Sequence, residues 1–150
     1  CRALSVMCFG HGEHQNLIIE KGGLDALRAA MSLHQQEVRL LAAVCMTLVY
    51  LVHQNVHHHP VFVQKDVPKE VVELMLLHPY AVHLQHWGCC LIFILTQNKG
   101  EIRDCVVQSG AVAAVQAARE HITDNEDVQL IASHALRHMG HGDMFEAIGN

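Results

Sequence analysis

Basic residues are scarce in this chain and aromatic ones scarcer: ten Lys and Arg stand against fifteen Asp and Glu, and Phe, Trp and Tyr make up 5% of 150 residues. No basic cluster or interleaved aromatic platform is present to neutralise phosphates or stack bases, which argues against nucleic acid as a partner. Long apolar runs are missing too. The longest, LLAAVCMTLVYLV from Leu40 to Val52, is shorter than the roughly 20 residues a helix needs to cross a bilayer, and it reads as a buried core helix. No membrane span is expected, and no cleavable signal or lipidation motif is legible. Cysteines at 1, 8, 45, 89, 90 and 105 lie inside apolar segments without the paired spacing of a zinc knuckle. That usage fits reduced core thiols in a cytoplasmic compartment. Nothing resembles a nucleophile with its base, an HExxH zinc helix or a phosphate-cradling glycine loop. Neither enzymatic activity nor a cofactor is expected.

What the chain does have is apolar residues, 51% of the whole, enough for the core of one domain. It opens in mid-pattern with CRALSVMC, an apolar run with no cap or polar lead-in, and is expected to be a piece of something longer. One internal period organises it. CRAL at 1, CMTL at 45, CCLI at 89 and SHAL at 133 are each separated by 44 residues. The same offset aligns IIEKGGLDALRAAM at 18, FVQKDVPKEVVELM at 62 and VVQSGAVAAVQAAR at 106, with no insertion or deletion. Apolar identity persists column by column, as in Ile19, Val63 and Val107, or Leu48, Ile92 and Leu136. One supersecondary unit is being stacked on copies of itself.

Within each unit apolar residues recur at spacings of three and four, as in Leu40, Val44, Leu48 and Leu51, so the unit is helical. A short first segment is expected near Glu13–Lys21, Phe62–Lys65 with its lead-in, and Glu101–Gln108. A second follows near Leu24–Leu33, Pro68–Leu77 and Ala111–His121. The third and longest covers Glu37–Val52, Ala81–Thr96 and Glu126–Met139. Gly22, Asp66 and Gly110 share the column between first and second segments, where a sharp turn wants glycine or a capping side chain.

Three helices per unit, the first short, resemble the armadillo repeat, with the HEAT repeat as near relative. The likeness rests on the third-helix runs VRLLAAVCMTLVYL, VHLQHWGCCLIFIL and VQLIASHALRHM and on the glycine turns EKGGLDAL and QSGAVAAV. The HP lead-in and the Gly88–Cys89 pair are also similar to armadillo-type repeats of leucine-rich-repeat kinases and of protist repeat proteins. The resemblance implies an all-α, right-handed α-solenoid with a 44-residue period. It divides the chain into a partial repeat at 1–8, repeats at about 10–52, 54–96 and 98–140, and the start of another at 141–150.

In such solenoids the last helix of each unit lines the concave face, where partners bind. Armadillo proteins that carry nuclear-import cargo hold an extended peptide there with a ladder of tryptophan and asparagine. In this chain the tryptophan column reads Arg2, Met46, Cys90 and His134, and the asparagine column Val6, Tyr50, Ile94 and His138. Both ladders are absent, so extended basic signals are disfavoured. An apolar groove floor of Met46, Tyr50, Trp87, Cys90 and Ile94 remains, rimmed by Arg39, His83 and His86, with His134 and His138 further along. The floor suits an amphipathic helix or apolar segment of a protein partner, with Tyr50 and Trp87 as anchors. A protein-interaction scaffold, in which the chain is a subunit of a larger assembly, is the leading expectation. The alternative is a structural or regulatory segment of a larger enzyme such as a kinase.

The stretch VHQNVHHHP, residues 52–60, raises a metal question. The period places it in the loop between units, and His11, His14, His57 and His58 would gather along one edge of the stack. Zinc takes about four ligands, imidazole among them. No carboxylate or thiolate joins the set at a fixed spacing, so a solvated histidine-rich loop is expected. His134 and His138, four apart on a helix and near His141, form a second pair of this kind.

Overall fold

The computed structural model describes residues 11–97 and 100–141, together with Ala3 and Val6. Among these the regular elements are helices, with no strand. In chain order they are α1 (Gly12–Glu20), α2 (Gly23–Leu33) and α3 (Val38–Val52), then a 3-10 turn at Val56–His58. Next come α4 (His59–Gln64), α5 (Val67–Leu77) and α6 (Val82–Thr96), and finally α7 (Glu101–Gln108), α8 (Ala111–His121) and α9 (Glu126–His138). These bounds agree with the expected segments to within one residue, except that α4 starts at His59.

Local chemistry explains the breaks. Gly22, Asp66 and Gly110 stand immediately before α2, α5 and α8 in the left-handed region, with φ of 80°, 56° and 89°. Glycine enters that region without a steric penalty, and aspartate is among the few side chains that tolerate it. Pro68 then occupies the first turn of α5, where its missing N–H costs nothing. Asn125 caps α9, its side-chain oxygen accepting from the Val128 N–H at 3.0 Å.

Glutamines close the opposite ends. Gln85 Nε2 donates to the carbonyls of Met75 and His78 at 2.7 and 2.9 Å. Gln129 Nε2 does the same for Arg119 and Ile122 at 2.8 and 2.6 Å. Each amide satisfies carbonyls that the ends of α5 and α8 leave without an intrahelical donor. In α3 the matching position is the buried Leu41, which has no amide to offer.

The long helices α3, α6 and α9 pack side by side, with α6 between the other two. Leu41, Val44, Cys45, Leu48 and Leu51 of α3 are wholly buried, as are Leu84, Cys89, Leu91 and Leu95 of α6. Val128, Ala132 and Ala135 extend this core into α9. On the other side α4 packs against α7, and α5 against α8. Gly88 lets α6 approach α5 closely: a Cβ there would stand 2.5 Å from the Met75 sulfur.

The cysteines divide. Cys45 and Cys89 are buried without a disulfide, as expected of core thiols. Cys105 departs from that expectation: it lies on the exposed face of α7. Cys1 and Cys8 fall outside the described residues.

Candidate functional site: a groove along the long helices

The face shared by α3, α6 and α9 carries the residues expected to form a groove, because spacings of three and four place side chains on one side of a helix. Met46 and Tyr50 of α3 and His86, Trp87, Cys90 and Ile94 of α6 are half-buried, while Arg39 and His83 are exposed. Tyr50 and Trp87 meet across the two helices with ring centroids 5.9 Å apart, and His86 stands edge-on to Trp87 at 5.0 Å. Aromatic neighbours prefer such tilted and T-shaped contacts.

On α9, His134 and His138 lean on Phe93 of α6, with centroids at 5.9 and 5.1 Å. Phe93 is not marked by the sequence pattern: it stands in a column with Val49 and Arg137, outside the residues expected to form the groove. Its neighbour Ile94 was the only signal. A second feature was also missed: a cleft of about 510 Å³ between the first halves of α3 and α6, walled in part by Ala42, Ala43, Met46 and Trp87.

Cys90 Sγ lies 3.7 Å from His86 Nε2, a pairing that invites comparison with a nucleophile and its base. The electrostatics oppose that role. Burial pushes the Cys90 thiol up to about 11. Burial also holds the His86 imidazole below its ordinary range, with Asp127 pulling it up and His83 pressing it down. Both groups rest neutral, whereas reactive cysteines need the thiolate. In the core, burial pushes Cys45 up to about 12, and burial together with the neighbouring Cys90 pushes Cys89 upward as well.

The histidine-rich stretch is not the solvated loop expected. His11, His14 and His57 are exposed, and the rings of His11 and His14 lie 5.1 Å apart. His58 and His59 are buried, at 7% and 2% exposure. His58 donates Nδ1–H to the Leu51 carbonyl at 2.8 Å, and its Nε2 lies 2.8 Å from Asn16 Oδ1 and 3.4 Å from the Asn55 Nδ2 donor. His59 Nε2 reaches the Val52 carbonyl at 3.3 Å. Gln15 Nε2 donates to the carbonyls of Tyr50 and His53 at 2.7 and 3.2 Å, and Asn55 Nδ2 donates to Gln15 Oε1 at 3.1 Å. Four consecutive carbonyls at the C-terminal end of α3 thus find donors in side chains. With both ring nitrogens engaged, His58 has none to give a metal.

Among the described residues no three or more His, Cys, Asp or Glu side chains gather into a group able to hold a metal ion. No single helix among them is long and apolar enough to cross a membrane. Compared with protein-family models, with curated proteins and with solved structures, the chain matches none.

Proposed function

We propose that the chain is a run of armadillo-like repeats, a right-handed solenoid, that serves as a protein-interaction scaffold and binds a helical or apolar segment along α3, α6 and α9. The second helices begin at Gly23, Val67 and Ala111 and the third at Val38, Val82 and Glu126, each 44 residues apart, which supports the repeat reading. The matching left-handed turns and the twin glutamines Gln85 and Gln129 support it further.

The observation that carries the scaffold reading is the Tyr50–Trp87 ring pair, half-buried on an open face. Large aromatics with one side in water are the side chains that most often dominate binding energy at protein interfaces. The neutral thiol of Cys90 and neutral ring of His86 favour a non-catalytic role. Buried, unbonded thiols at Cys45 and Cys89 fit a reducing compartment. Replacing Tyr50 and Trp87 together with alanine should weaken capture of the natural partner while helical circular dichroism is retained. Undiminished capture by the double variant would remove the groove from consideration.

A further inference from the structure

The cleft beside Trp87 owes its existence to unequal side chains in matching positions. Positions 42, 86 and 130 carry Ala, His and Leu, and positions 43, 87 and 131 carry Ala, Trp and Ile. Where α6 and α9 present bulk, α3 presents two methyl groups, and about 510 Å³ opens between α3 and α6. Val38, Ala42, Ala43, Met46, Val82 and Trp87 give it apolar walls.

Its rim carries one fixed charge, that of Arg39. Arg39 and His83 are the ionisable groups at the lining, and both are exposed. Arg28 and Lys65 are tied to carboxylates, but Arg39 has no ion-pair partner among the described residues. Further along the same rim, the position of Arg39 and His83 is taken by Asp127, whose charge acts on His86. The cleft thus has a cation at its α3 edge, and an anion stands beyond it on α9.

We propose that this cleft seats one bulky apolar side chain from a short amphipathic helix of a protein partner, with an Asp or Glu one helical turn away paired to Arg39. The proposal rests on the groove reading above and deepens it. Residues one turn apart share a helix face, so a single helix delivers both groups. A guanidinium is the side chain best shaped to hold a carboxylate by two parallel hydrogen bonds. Asp127 repels acidic residues at the α9 end and so sets the direction in which the helix lies.

Trp87 is the chain's one tryptophan, so its emission reports the cleft directly. The probes are two capped peptides of about 16 residues, long enough to hold a helix. Both place leucine along one face. One is flanked by glutamate, and its twin carries lysine at the same positions. The glutamate peptide should shift Trp87 emission and bind at least about tenfold more tightly than the twin at low salt. That ratio should shrink as salt is added. Arg39→Glu should invert the order, and Ala43→Leu, checked for fold by circular dichroism, should weaken both peptides by filling the cleft. Equal binding by the twins, unaltered in Arg39→Glu, overturns the acidic partner while leaving the groove intact. Binding without a change in Trp87 emission, or no binding of either peptide by a chain that still captures its natural partner through Tyr50 and Trp87, overturns the cleft alone.

Discussion

The two junctions between successive helix triplets are built from different materials. Where α1–α3 meet α4–α6, polar side chains reach across. Arg28 of α2 holds Glu70 of α5 with Nη2 at 2.6 Å and Nε at 3.1 and 3.2 Å from the carboxylate oxygens. Lys65 holds Asp25 at 2.6 Å, and His78 Nε2 donates to the Gln35 carbonyl at 2.6 Å. The bond from Lys65 holds the Asp25 carboxyl below its ordinary range, and the bond to Glu70 raises the Arg28 guanidinium. Where α4–α6 meet α7–α9, the described contacts are mainly apolar burial and rings, Tyr80 with His121 at 5.0 Å and Phe93 with His134 and His138, joined by the charge of Asp127 acting on His86.

The difference separates strength from register. Apolar columns recur at both junctions, and buried area supplies most of the stabilisation. Ion pairs as open to water as Lys65–Asp25 add little, yet a guanidinium fork accepts only one alignment. The polar junction is therefore the one that specifies how neighbouring triplets sit, and the apolar junction relies on burial.

Three measurements sharpen or break this contrast. The largest effect belongs to burial. Phe62, wholly buried on the helix that packs against α7, should cost about 3–5 kcal/mol when cut to alanine, read from urea denaturation. A loss below about 1 kcal/mol would mean that the packing around α4 does not depend on its apolar side chains.

A middling effect belongs to the polar clasp on α3. His58→Ala leaves the Leu51 carbonyl buried without its donor, and about 1–3 kcal/mol should disappear. Faster amide exchange should then be confined to the end of α3 and the start of α4. Exchange that quickens equally in α9 would show that the junctions do not respond separately.

The smallest effect is a response to acid. Burial holds His59 below its ordinary pKa, with the Val52 carbonyl opposing and His58 adding to the depression. The unfolded chain therefore takes up a proton more readily than the folded one. The contribution is fully present above about pH 6.5 and is lost as pH falls through the folded value. Thermal midpoints should drop between about pH 7.5 and pH 5, and His59→Gln should flatten the slope. The part that survives should belong to His86, which is depressed for the same reason. A slope unchanged in His59→Gln would remove this residue as its source.

Helix placement was legible because the period repeats without insertion and the turn column carries Gly22, Asp66 and Gly110, which few other residues could replace. The groove floor was legible for a related reason: inward and outward positions alternate with helical spacing, so Tyr50 and Trp87 could be put on one face. The burial of His58 and His59 was not. Composition marks histidine-rich stretches as wet, and nothing in sequence order says that the end of α3 needs donors from the residues that follow. Pro60, in the first turn of α4, was the available hint that a helix begins at His59. The cleft escaped notice because Ala42 and Ala43 look like core filler until they are compared with His86 and Trp87. Cys105 was misplaced because a cysteine among apolar neighbours reads as core, while the face of α7 that it occupies turns outward.

The close approach at Gly88 also governs which sequences this layer can accept. Met75 occupies space that a side chain at 88 would otherwise take, and the corresponding pair in the preceding triplet, Met31 and Val44, is bulkier by one isopropyl group. In this layer, then, a larger residue at 88 requires Met75 to shrink or turn away, a constraint that the preceding layer, which holds both Met31 and Val44, does not share.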